Sequence, residues 1–144
     1  DVSVSDKGID TVKGRKTSDL HNRLKILEAQ NNCIFISIHQ NYFSQSRYCG
    51  AQVFYSKNNN KSKTLADIVA EEIKGLLQPD NERQSKPATS SIFLLWHAKV
   101  PAVLVECGFL SNDAEAIKLN NAEYQQKMAF AIYCGLMSYL AVGN

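Results

Sequence analysis

Pro101-Ala102-Val103-Leu104-Val105-Glu106-Cys107-Gly108 and, far upstream, Cys33-Ile34-Phe35-Ile36-Ser37-Ile38-His39 are the stretches on which the architecture turns. Each is a short, branched, apolar run with no polar alternation, the pattern of a strand covered on both faces rather than one wet on one side. Two further segments read as strands, Ala51 to Tyr55 after Gly50 and the apolar run Ile92 to Trp96. Between them the hydrophobic period changes to that of helices. Leu20, Leu24 and Leu27 recur from an N-cap at Ser18 or Asp19 to Gln30, and Leu65, Ile68, Val69, Glu72 and Leu76 mark a second helix. A short helix capped near Asn112 follows, then a longer one from about Asn121. The latter carries Met128, Ala131, Ile132, Gly135 and Tyr139 on one face and stops near Gly143. Polar loops fill His39 to Cys49 and Gln78 to Ser91, the latter with Pro79 and Pro87. Continuous strands alternating with helices predict an α/β fold: a three-layer sandwich with a mostly parallel central sheet and helices on both faces.

Composition narrows the classes. At 144 residues the chain is one domain, and its 38 Leu, Ile, Val and Phe residues are too many for a disordered tail. The longest uncharged apolar stretch, Ala129 to Val142, falls short of the roughly 20 residues a bilayer span needs and is broken by Gly135 and Ser138. Asp1 to Asp10 lacks a basic region followed by an apolar one, so an export signal is expected outside these residues. A net charge of +2 is too small for a nucleic-acid binder, although Lys and Arg concentrate before Thr64 and acids after it. Cys33, Cys49, Cys107 and Cys134 have no C-x-x-C spacing and read as reduced, buried thiols.

In open α/β sheets ligands gather beyond the carboxyl ends of strands. His39 and Glu106 each sit directly after one of the two deciding runs, and an imidazole and a carboxylate meeting at one sheet edge are the usual parts of a metal hydrolase. Three motifs, Phe35-Ile36-Ser37-Ile38-His39-Gln40-Asn41, Gly50-Ala51-Gln52-Val53-Phe54 and above all Pro101 to Asn112, are similar to those of the zinc-dependent N-acetylmuramoyl-L-alanine amidases of the large cell-wall amidase family. The segments Ser18 to Arg23 and Glu123 to Lys127 match as well, so the resemblance covers nearly the whole chain. Its wording is most similar to the branch from endospore-forming Gram-positive bacteria that processes spore cortex.

That resemblance implies hydrolysis of the amide between N-acetylmuramic acid and L-alanine of peptidoglycan, outside the cytoplasm, in the wall or spore envelope. It makes His39 a ligand of one zinc ion and Glu106 the catalytic carboxylate, with Asn41 and Gln52 placed for substrate contact. It also implies two further zinc ligands, a His after the opening strand and a Glu on the next helix, both upstream of the matched region. The expected unit is therefore a single amidase-like domain over residues 1–144 that lacks its N-terminal strand and helix. His21 falls on a helix and His97 has no counterpart among the family's ligands, so both read as surface histidines. Two other readings compete: a non-catalytic wall-binding or partner-binding module without a complete zinc site, and a thiol hydrolase built on Cys107. No activator or oligomeric state is specified by the residues.

Overall fold

The computed structural model describes residues 11–30 and 32–142, so the segment Asp1 to Asp10 and the expected helix stop at Gly143 lie outside the described residues. Helix α1 (Val12–Glu28) leads into β1 (Phe35–Asn41) and β2 (Gln52–Tyr55), followed by α2 (Lys61–Leu77) and the two-residue β3 (Lys86–Pro87). Then come α3 (Phe93–His97), β4 (Ala102–Phe109), α4 (Asp113–Leu119) and α5 (Ala122–Val142). The strands form one sheet in the order β1-β4-β2-β3. β1 with β4 and β2 with β3 are parallel, and β2 with β4 is antiparallel, so the α/β sandwich holds with a sheet that is mixed at one pairing.

β4 lies between β1 and β2 and is buried along almost its whole length, which is why its sequence has no polar alternation. Its side chains nevertheless alternate between two cores. Val103, Val105 and Cys107 join Val53, Leu65, Val69, Ile73, Met128 and Ile132 under α2 and α5, while Ala102 and Leu104 face Leu27, Leu95 and Ala98 from α1, α3 and the turn after it. The α5 face read from sequence is the buried one, Met128, Ala131, Ile132, Gly135 and Tyr139. It meets α2 so closely that Gly135 has no room for a Cβ: one built there would sit 2.8 Å from the Val69 Cα. Glu72, the polar member of the α2 stripe, accepts a hydrogen bond from the Ser138 hydroxyl of α5 at 3.1 Å.

Three expectations are corrected. Ile92 to Trp96 is not a strand but the helical turn α3, in which adjacent Leu94 and Leu95 are buried while Trp96 is exposed. An apolar run this short has no period of its own, and the place beside β2 is already taken by Lys86 and Pro87. The first helix begins a full turn or more before Ser18: the Thr11 side chain accepts from the Gly14 N–H at 3.0 Å and caps it there. Its early residues are solvent-exposed, so no apolar stripe marks them. The four cysteines are free as expected, but only Cys107 is buried, and Cys49 is exposed on a loop.

Candidate active site

The parallel register of β1 and β4 pairs His39 with Glu106, and the antiparallel register of β2 and β4 pairs Gln52 with the same Glu106. Three polar side chains thus form one row across three adjacent strands, whose backbones lie about 4.8 Å apart. The alternation puts them on one face. His39 follows Phe35 and Ser37, Glu106 follows Ala102 and Leu104, and Gln52 precedes Phe54, all on the side of α1 and α3. The row lies at the carboxyl edge of β1 and β4, where sequence reasoning placed it.

Each member is held differently. His39 is exposed, and its Nε2 lies 3.0 Å from the Ser37 hydroxyl, two residues back on the same strand face. Gln52 is 3% exposed; its amide nitrogen donates to the Gln84 carbonyl at 2.6 Å, yet its carbonyl oxygen has no donor among the described residues. Glu106 is in the same condition: its Oε2 is buried with no hydrogen-bond partner among the described residues. Two neighbouring buried acceptors without a donor describe a place for a water, a cation or a substrate N–H, because an unmet buried acceptor costs about 1–3 kcal/mol. Burial pushes the Glu106 carboxyl above its ordinary range. A carboxylate with that poise and no ion-pairing partner among the described residues is suited to take and return a proton.

Asn41 ends β1 after an irregularity in register that pairs it with Phe109. Its carboxamide oxygen accepts from the Tyr42 N–H at 2.8 Å, and its amide N–H groups remain open to a ligand. His21 and His97 flank Phe93 at 4.9 and 4.6 Å between ring centroids, on α1 and α3 just ahead of the start of β4, and neither joins the row. Cys107 points into the opposite core, where burial and the Glu106 charge push its thiol up to about 11. That removes the thiol-hydrolase reading, since the thiolate is the nucleophile and about one thiol in a thousand would carry it at pH 8. Alkylation of the native protein at pH 8 should accordingly modify exposed Cys49 and leave Cys107 unmodified until denaturant is added. Mass spectrometry showing Cys107 labelled at a comparable rate would contradict its burial.

Several residues that shape this edge escaped the sequence reading. The Glu115 carboxylate accepts from the Gly50 N–H at 2.9 Å and the Phe109 N–H at 2.8 Å, tying the entry of β2 to the end of β4. Gly50 adopts φ +87°, and its neighbour Asn81 fills the space a side chain would need. Gln78 receives the Ala51 N–H at 2.7 Å and donates to the Tyr124 hydroxyl at 2.8 Å. The one available signal was the Asn112-x-x-Glu115 spacing of a capping box; Asn112 does cap α4, but Glu115 reaches across the sheet end instead of back to the cap.

An α/β sandwich that sets an imidazole and a desolvated carboxylate on adjacent strands at a strand-end edge has the frame of a hydrolase and a carboxylate suited to proton transfer. The chain belongs to the N-acetylmuramoyl-L-alanine amidase family, whose model matches residues 3–138. It is similar to the germination-specific N-acetylmuramoyl-L-alanine amidase of Bacillus subtilis, with 31% identity over 96% of this chain and 58% of that protein. Among solved structures, the CwlD amidase from Clostridioides difficile in complex with the GerS lipoprotein superposes with a TM-score of 0.91 at 41% identity, covering 96% of this chain and 70% of that one. An N-acetylmuramoyl-L-alanine amidase from Clostridium difficile 630 superposes at 0.77 with 28% identity, over 85% and 65% of the two chains. The chain therefore spans a little over half the length of the curated germination relative, and the resemblance to the spore-former branch stands.

Proposed function

We propose that the complete protein hydrolyses the amide bond between N-acetylmuramic acid and L-alanine in peptidoglycan, outside the cytoplasm, with Glu106 as general base and His39 as a zinc ligand. The observation that carries this is the row His39, Glu106, Gln52, in which a buried, unpartnered carboxylate stands beside an exposed imidazole at the sheet edge. Glu106 takes the proton of the attacking water and delivers it to the departing amine of L-alanine, a cycle served by a carboxyl that burial raises above its ordinary range. Ser37 orients His39 through the ring nitrogen it engages. Gln52, clamped by the Gln84 carbonyl, offers its oxygen to a substrate N–H, and Asn41 offers its amide from the next position. Zinc, when bound, supplies a polarised carbonyl and a water acidified toward a pKa of about 7.

Donor chemistry suits the ion, but the number of donors does not. Among the described residues no three His, Cys, Asp or Glu side chains gather closely enough to hold a metal. We infer that a strand and a helix N-terminal to this region complete both the zinc site and the sheet. Ile38 on β1 is 58% exposed, β1 is the outermost of the described strands, and a cleft of about 470 Å³ beside it is lined by Ile38, Leu110, Tyr124, Met128 and Ile132. Phe130, Tyr133 and Met137 of α5 are also exposed. A parallel sheet is normally covered on both faces, and apolar residues left open beside a free strand edge suit an added strand and helix.

The test is release of L-alanine amino groups from purified muropeptide by the full-length protein, with and without chelator. Zinc-dependent release is expected; full activity after zinc removal would overturn the metal role, and no release under any metal would overturn the reaction. Residues 1–144 alone should retain no stoichiometric zinc after dialysis, because one imidazole holds the ion weakly. One zinc per chain by elemental analysis would mean that a complete ligand set lies within it. The non-catalytic alternative is the weaker reading, since a binding module gains nothing from keeping a desolvated, unpaired carboxylate that costs stability.

A further inference from the structure

We infer that Arg83 recognises a carboxylate of the stem peptide and so sets substrate preference at the site proposed above. The Arg83 guanidinium lies over the Phe109 ring at 5.0 Å and over the Tyr48 ring at 5.8 Å, and its Nε donates to the Cys49 carbonyl at 2.8 Å. Its backbone N–H is fixed by the Asn81 side chain at 3.1 Å, and that side chain in turn holds the Ala51 carbonyl at 2.9 Å. The guanidinium is thus held by two rings and a carbonyl, and the backbone beneath it is fixed as well. Its two terminal nitrogens have no hydrogen-bond or ion-pair partner among the described residues. The nearby Glu115 carboxylate spends both oxygens on the Gly50 and Phe109 N–H groups, and Arg47 adds a second positive charge 5.4 Å from the Tyr48 ring.

Arg83 is also coupled to the reacting row. The carbonyl of the next residue, Gln84, clamps Gln52, which is the register partner of Glu106; Phe109, under the guanidinium, is three residues beyond Glu106 on the same strand. A rigid guanidinium with a free fork is matched to a planar carboxylate. The stem peptide supplies one close to the scissile bond: the residue after L-alanine is a γ-linked D-glutamate, whose α-carboxyl is either free or amidated.

The experiment compares two muropeptides, one with the free α-carboxylate and one with the carboxamide, on the full-length protein and its Arg83→Gln and Arg83→Lys variants. The wild type should show a KM for the free acid lower by roughly 10- to 100-fold, the range of a charge-assisted pair. Arg83→Gln should raise the KM for the acid to that for the amide with little change in kcat, and Arg83→Lys should fall between them. A preference retained in Arg83→Gln, or absent from the wild type, would overturn the assignment. Binding of the free acid and amide peptides to the Glu106→Gln protein, read by calorimetry with and without Arg83→Gln, separates the two proposals. If no variant hydrolyses muropeptide yet the acid preference in binding follows Arg83, the reaction falls and the recognition stands. Thermal unfolding of each variant shows whether the loop from Tyr42 to Gly50 is still held; a loss of acid preference accompanied by a lost fold counts against recognition only if Arg83→Lys, which keeps the charge, loses the preference while folded.

Discussion

Glu106→Gln in the zinc-loaded, full-length protein is expected to lower turnover by roughly 10²- to 10⁴-fold while leaving zinc content and muropeptide binding near those of the wild type. Gln keeps the size of the side chain and fills the same slot beside Gln52, whose oxygen has no donor among the described residues. What it loses is the ability to accept a proton at neutral pH. His39→Ala should fail in another way, losing zinc and activity together, because it removes a ligand and leaves the base untouched. The measurement is release of L-alanine amino groups beside a zinc determination on each variant. Near-normal turnover in Glu106→Gln would transfer the base to another residue and reduce the row on β1, β4 and β2 to a feature of the fold.

The largest effect on stability is expected from Gly135→Leu. Gly135 lets α5 approach α2 until an added Cβ would meet the Val69 backbone at 2.8 Å, a contact that rotamer changes cannot relieve. The two helices would have to separate, and Leu65, Val69, Ile73, Ala131 and Ile132, all buried between them and the sheet, would lose packing together. Overpacking a dense core costs about 1–3 kcal/mol when neighbours can yield, and a Leu against backbone lies at or beyond the top of that range. Against a total stability on the order of 5–15 kcal/mol, this should shift the denaturation midpoint by a large fraction or prevent folding. Gly135→Ala should cost less, since the helix gains about 1 kcal/mol of propensity from Ala. A Gly135→Leu midpoint equal to that of the wild type would show that α2 and α5 are not locked at this position.

What the chain determines locally was legible in its residues. Ala102 to Val105 and Phe35 to Ile38 could be read as strands, because both are runs of branched apolar residues without alternation; the coverage on both faces that this pattern implies is met by β4, whereas β1 is the outer described strand and leaves Ile38 58% exposed. The buried stripe of α5 could be read at helical period, and Asn112 as a cap, because both are properties of neighbouring positions on one element. His39 and Glu106 could be picked out because strand ends gather function, and a motif carried the remainder. Long-range placement was decided elsewhere. Ile92 to Trp96 became a helical turn because the sheet edge beside β2 was filled by Lys86 and Pro87, a fact that no window of sequence contains. The clamp on Gln52 and the contacts of Glu115 and Arg83 form only when segments more than thirty positions apart close on one another, as Gln52 does on Gln84, Glu115 on Gly50 and Arg83 on Cys49. Periodicity and capping act over a few residues and are written in order along the chain; the desolvation that raises Glu106 and the loss of a donor for its buried oxygen come from what packs around it, and only the folded sheet, in bringing β1, β4 and β2 into register, creates them.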